Sequence, residues 1–455
     1  MEMTLVMRSV FRSVPAAALL LLSAARAQPP GEAAAPPVLP LDEAIRIALR
    51  DNRQVEVNVL AVNKAAQATA ELGASRYPQF RVDVLSGVAL NPIHLTIPQG
   101  TIGDLPGIGP LPATDVSITT PRRITAFIHG SAAQPLSQLY KIRFGMIASR
   151  MGEDLARENL RQSRQQTAQQ VRETYYQIAQ AQAGLAAVET SLKYLAELAG
   201  LMERRFAEEA VLRSDLLAVK AQAAQQRYQL VVLRDAAASG KESLNWLLGR
   251  DMAIDFSAEL QPLPSAAETD LALARGQALE QRPEVRKAAI ALRKAELDIR
   301  RERAEYIPDL SLQVSYFSFA NMNFAPQNVT SAGFLFAWQP FDWGQKHHQL
   351  EQLRTAARQA GLTRSDAEQQ VLVDVGVRFR KLAEARALLD AQTAAQETER
   401  EKMRLVMRRF EEKSALTADV MQQQAALAQA DSQFNQALAG FWTARAAFYR
   451  ALGEE

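Results

Sequence analysis

Side chains able to do chemistry are few in this 455-residue chain, and none sits in a catalytic spacing. Cysteine is absent, which excludes disulfides, thiolate catalysis and a thioether-linked lipid anchor. The phosphate-cradling G-x-x-x-x-G-K-[ST], the zinc-binding H-E-x-x-H and the nucleophile elbow G-x-S-x-G are missing too. The sequence therefore supports no enzyme, no cofactor and no metal centre. His347 and His348 are adjacent, so they point to different sides of a helix, which is poor geometry for a shared metal; they read as an exposed helix start. Met403 and Met407, four apart, could pass on a soft metal, but that spacing more often serves plain core packing. The remaining candidates are acidic. Asp215 and Asp419 each follow a helical break, where a carboxylate can cap a helix start. Leu212 and Leu416, three residues earlier, either narrow a passage or pack across the tip of a rod. Gln422, Gln423, Gln424 and Gln429 suit a helix face lining a water-filled bore or a solvated coiled-coil flank.

These residues must be held by long helices. Between Leu416 and Leu452, Val420, Leu427, Phe434, Phe441 and Phe448 recur every seventh residue, and Ala430, Ala437, Ala444 and Ala451 follow three residues behind. This a/d heptad seam calls for a partner helix, and its small alanines allow close approach. About 204 positions earlier the seam recurs through Leu212, Leu216, Val219, Ala223, Leu230, Leu233, Ala237, Leu244 and Leu247, with RRFAEEAVLRSDL copied as RRFEEKSALTADV. The chain is a tandem duplication.

The balance of 52 Lys+Arg against 50 Asp+Glu points to no nucleic-acid partner. Residues 1–27 read as a signal peptide, with Arg8 and Arg12 before a short apolar core and Ala25-Arg26-Ala27 as the cleavage site. That core is far short of the ~20 residues that span a bilayer. The expected organisation is an extended lead over 28–40, repeat 1 over 41–250, a linker over 251–270 and repeat 2 over 271–455. Each repeat is expected to hold a helix (Leu41 to Arg76; Leu271 to Glu305), a β-hairpin (78–135; 308–340), a proline-free long helix, a tip near 209 or 413, and a return helix. A long helix of roughly 70 residues would reach on the order of 100 Å, so two short helices end to end would cover it.

The strands alternate. Leu310, Leu312, Val314 and Tyr316 interleave with Ser311, Gln313 and Ser315; Ala332, Phe334, Phe336 and Trp338 form a second run. Repeat 1 has a weaker version in Phe80, Val82 and Val84, then Ile124, Ala126 and Ile128, with Asn91 to Pro121 between them as a long exposed loop. An apolar strand face is core in a soluble α+β domain. If it instead meets lipid, four strands cannot close a barrel, and copies must share one: two would supply eight strands, three twelve.

The motifs PLDEAIRIALRDN (Pro40 to Asn52), Tyr77-Pro78, Ile307-Pro308, QPLSQLYK (Gln134 to Lys141), QPFDWGQK (Gln339 to Lys346) and the two tip segments, in this order and duplicated, resemble the TolC-like outer-membrane efflux protein family over essentially the whole mature length. The resemblance implies a mainly α protein with a small β part: tandem-duplicated antiparallel coiled-coil rods plus four strands per chain, assembling as a homotrimer with a twelve-stranded β-barrel in the outer membrane and a helical barrel crossing the periplasm. It implies a passive exit duct of a tripartite efflux pump or type I secretion system, in contact with outer-membrane lipid through Leu310, Leu312, Val314, Phe334, Phe336 and Trp338. It also implies docking of a periplasmic adaptor, and with it an inner-membrane pump, at a tip carrying Arg205, Glu209, Arg213, Arg409 and Lys413. Asp419 matches an acidic position that constricts the periplasmic end in relatives, and Asp215 is its counterpart. The family pattern usually has Gly where this chain has Glu209 and Lys413, and Ser/Thr where it has Leu212 and Leu416. Two other readings compete with the duct: a periplasmic coiled-coil scaffold, which would bury the apolar strand face, and a periplasmic adaptor, which would need a membrane anchor or lipid and a single hairpin.

Overall fold

A computed structural model describes residues 36–88, 90, 94–119, 124–209, 211–260, 270–320, 327–412 and 414–454. The expected signal peptide, most of the lead and residues 261–269 of the linker lie outside these residues, as does Lys413. Two long helices dominate: α3 (Gln138–Ala207, 70 residues) and α7 (Gln345–Glu411, 67 residues), each on the order of 100 Å. The return helices are α4 (Arg213–Leu247) and α8 (Thr417–Leu452). The seam of α8 is buried where the heptad demands it: Val420, Ala430, Ala437, Phe441, Phe448 and Ala451 are all core.

The helix expected over Leu41 to Arg76 is two, α1 (Leu41–Asp51) and α2 (Arg53–Ala74), and its copy is α5 (Leu271–Gln281) and α6 (Pro283–Ala304). Asn52, extended at φ −67° and ψ 126°, makes the first break and caps α2: its Oδ1 accepts from the backbone N–H groups of Gln54 (2.9 Å) and Val55 (3.2 Å). Its copy Arg282 has no capping oxygen, and Pro283 instead starts α6 at the position where a missing N–H costs nothing. Apolar periodicity runs through both breaks, which is why the sequence reads as one helix.

The breaks are joints. α2 stands on the end of α4, with Asn52 Nδ2 donating to the Leu247 carbonyl at 2.8 Å. At the equivalent contact of α5 and α6 with the end of α8, Gly453 presses against Gln281 and Arg282. Gly249 and Gly453, 204 positions apart like the seams, both have positive φ (69° and 96°). A Cβ on Gly249 would stand 2.3 Å from the Asp51 carbonyl oxygen, and one on Gly453 2.8 Å from Gln281 Cβ. Only glycine permits both the backbone conformation and the approach.

Neighbouring helices follow the order α2, α3, α6, α7 beside the strands and α4, α3, α8, α7 towards the tip. The strands repeat it. β1 (Gln79–Val88), β6 (Ile124–Pro135), β7 (Asp309–Ala320) and β8 (Asn328–Ala337) form one antiparallel sheet in the order β1-β6-β7-β8, so the repeats meet at β6 and β7. The chain is a strip one layer deep. The segment expected as a loop is structured: β2 (His94–Ile97) pairs with β5 (Val116–Thr119), and inside them β3 (Gly103–Leu105) pairs with β4 (Gly109–Leu111). Positive-φ glycines 100, 103, 107 and 109 make these turns possible.

Candidate functional site

The register sorts the sheet into two faces. Along one, Phe80, Val82 and Val84 of β1 stand opposite Ala132, Gly130 and Ile128 of β6. Ala132 in turn pairs with Val314 of β7, and Leu310, Leu312 and Val314 pair with Phe336, Phe334 and Ala332 of β8. This face holds Leu310, Leu312, Val314, Phe334 and Phe336, with Trp338 just past the strand, and carries no charge. It is also bare: Phe80 is 80% exposed, Phe334 71% and Phe336 61%. The opposite face carries Arg81, Asp83, His129, Ser131, Gln313, Ser315 and Ser331, with Arg81 Nε donating to both Asp83 carboxylate oxygens (2.9 and 3.0 Å). One face, called the dry face below, is apolar throughout, and the other, called the wet face, is mainly polar.

Where strands become helices the corner is fastened. Ser137 Oγ donates to the Pro308 carbonyl and accepts from Leu310 N–H, both at 2.8 Å, while Lys141 Nζ reaches Asp309 (2.8 Å) and Glu305 (3.0 Å). Burial would lower the Lys141 ammonium, but the hydrogen bonds from Asp309 and Glu305 hold it above its usual value. Exposed aromatics gather at this level: Tyr77, Tyr306, Trp338, Phe341 and Trp343, the last 89% exposed with φ 56°.

At the far end the tip joins both repeats. Leu195, Leu198, Met202, Leu216, Val219 and Ala223 form a core on which Phe410 and Met421 of repeat 2 pack. Arg205 is half-buried, its guanidinium 5.6 Å from the Phe410 ring centroid, so it ties the repeats together; Glu209, Arg213 and Arg409 are exposed. Glu209 has φ 57°, the left-handed conformation that glycine adopts freely. Leu212 and Leu416 are 70% and 71% exposed at their helix starts. Asp419 Oδ2 accepts from the Leu416 N–H at 2.9 Å, so it caps α8 while its carboxylate stays exposed; Asp215 is half-buried.

The other candidates find local roles. Tyr194 O–H donates to Met407 Sδ at 3.3 Å, which makes that methionine part of the packing between helices. Gln423 and Gln424 donate to Glu399 and Ser191 across helix contacts rather than facing a bore freely. His347 and His348 are exposed, their rings 5.5 Å apart at 71°. Among the described residues no group of three or more His, Asp or Glu side chains is placed to hold a metal ion, and no helix is long and apolar enough to cross a membrane. Sequence reasoning missed the aromatic block on the wet face (Phe127, His129, Phe317, Phe319), because those rings fall on the strand positions that otherwise alternate as polar.

The outer membrane efflux protein family matches over residues 274–454. No curated protein sequence matches. Among solved structures, the outer-membrane channel OprN is 18% identical with a TM-score of 0.72, covering 91% of this chain and 90% of that one. The Vibrio cholerae outer membrane protein VceC is 15% identical (TM-score 0.71; 91% and 96% covered). The Neisseria gonorrhoeae MtrE outer membrane channel, in its open state, is 17% identical (TM-score 0.70; 91% and 89% covered). The resemblance read from the sequence therefore holds: the second repeat matches the outer membrane efflux protein family, and the chain as a whole has the fold of these outer-membrane channels.

Proposed function

We propose that this protein is the exit duct of a tripartite efflux pump or type I secretion system in the outer membrane of a Gram-negative bacterium, with its helices extending into the periplasm. The observation that carries the reading is the bare apolar face of the β1-β6-β7-β8 sheet, bordered by two strands that each have a partner on one side only. Open edges cannot face lipid, because their backbone groups would go unpaired, and four strands cannot close on themselves. Three copies joined β1 to β8 give twelve strands and no edge. Leu310, Leu312, Val314, Phe334, Phe336 and Trp338 then meet hydrocarbon, and the exposed aromatics of the strand-to-helix corner lie at the interface. A periplasmic scaffold would bury this apolar face, and it is exposed.

The duct is passive, and an inner-membrane pump supplies the energy. An adaptor docks at the tip on Glu209, Arg213, Arg409 and Lys413; Arg205, engaged with Phe410, supports that surface rather than reaching out from it. Three copies of Asp419, with Asp215 behind them, ring the axis at the periplasmic end, where clustered carboxylates favour cations. Leu212 and Leu416 form an apolar ring beside them. Reconstituted in a planar bilayer, the wild type conducts, and Asp419→Asn raises or rectifies the single-channel conductance. If conductance and ion selectivity stay unchanged, Asp419 is a helix cap alone.

A further inference from the structure

The wall of a water-filled barrel is normally polar, and on this wall a block of rings interrupts the polar surface. His129 and Phe317 are direct cross-strand partners with ring centroids 4.6 Å apart at 13°. One step further from the helices, Phe127 and Phe319 are partners at 5.2 Å, and Phe127 lies 6.0 Å from Phe317 and 6.3 Å from His129. All four side chains are half-buried, so part of each faces the bore. Cross-strand pairing accounts for their contacts with each other, but not for what lies next to them. On the helix side the next row is Ser131, Ser315 and Ser331, directly opposite one another, and beyond it come Ala133, Gln313 and Gly333. The three serines make a floor of small side chains, closed at its β1 end by Arg81, the partner of Ser131, and the His129–Phe317 pair rises from it as a step.

We propose that this step is a wall site for flat aromatic solutes passing through the duct. A planar ring lying on the serine floor meets the aromatic step on one side and the accessible hydroxyls of Ser131 and Ser331 below, with Ser315 buried between them. The nearest charges, Arg81 and Asp83, bind each other, so the site selects by ring stacking rather than by charge. His129 Nδ1 is 3.7 Å from Asp83 Oδ2, beyond hydrogen-bonding distance. In the assembled barrel there are three such steps, one per chain, near the outer end of the strands. The inference rests on the duct reading and adds a solute class to it.

The test uses the purified full-length oligomer in a planar bilayer, with a planar acridinium dye and tetrabutylammonium as probes of equal charge. The dye should give blockades whose dwell time shortens by about tenfold in the triple variant Phe127→Leu, Phe317→Leu, Phe319→Leu, which keeps the apolar volume but removes three rings. Tetrabutylammonium should behave alike in both proteins. A second variant, Ser331→Phe, fills the floor from β8 while leaving all four rings of the step in place and should also shorten the dwell, which covers the case in which the triple variant fails to assemble. Dwell times unchanged in both variants, or an aliphatic cation held as long as the dye, would overturn the site and leave the duct standing. Absence of any wild-type conductance would overturn both.

Discussion

At the scale of single residues, three backbone positions govern the strip. Glu209 holds a left-handed conformation that costs a non-glycine residue on the order of 1 kcal/mol. Glu209→Gly should therefore raise stability by about that amount in a denaturant melt, and a lower midpoint would contradict the strain. The joints respond in the opposite direction. Gly249→Ala and Gly453→Ala place a methyl inside contact distance at a positive φ, so each should destabilise by roughly 2 kcal/mol or more. The copied Gly249 and Gly453 were visible in the sequence; the contact that requires them was not, because it lies with Asp51 and Gln281, each more than 170 positions away.

The second joint also titrates. Burial alone would raise the Asp374 carboxyl, but the hydrogen-bonded guanidinium of Arg282, with that of Arg378, holds it below its usual value. A depressed folded pKa means stability that is present above the unfolded value near ~4 and is lost as pH falls through the folded value. The Tm of the wild type should drop on acidification below about pH 4 more steeply than that of Asp374→Asn. Parallel profiles would remove Asp374 from the acid response.

At the scale of elements, the heptad seams and the strand alternation were legible because both are local periodicities. The strand faces matter most for function. A charge on the dry face should cost about 2–4 kcal/mol at mid-membrane, whereas one on the wet face is tolerated. Phe334→Arg should therefore sharply reduce the protein recovered from the outer membrane, and Ser331→Lys, three residues away on the other face, should not. Equal loss in both would show that the register-based sorting of faces does not correspond to lipid and bore. What escaped the sequence follows the same logic. The breaks at Asn52 and Arg282 interrupt the backbone but not the apolar period, the β-ribbon within 94–119 is made of strands three or four residues long, and the ring block sits on a polar phase. At the tip, the Asp419 carboxylate already has one local task, capping α8, so the proposed ring on the axis would depend on neighbours that a single chain does not contain.

At the scale of the whole molecule, the described chain is a strip one layer deep whose apolar sheet face is bare and whose two sheet edges are open. Under the proposed function, such a strip would bury its edges and helix flanks against copies of itself. The direct measurement is to separate inner from outer membrane, extract the protein in mild detergent and determine the particle mass by light scattering. The account predicts a trimer from the outer-membrane fraction. A periplasmic monomer or dimer would contradict it, since the apolar sheet face would then have to be covered by something other than lipid.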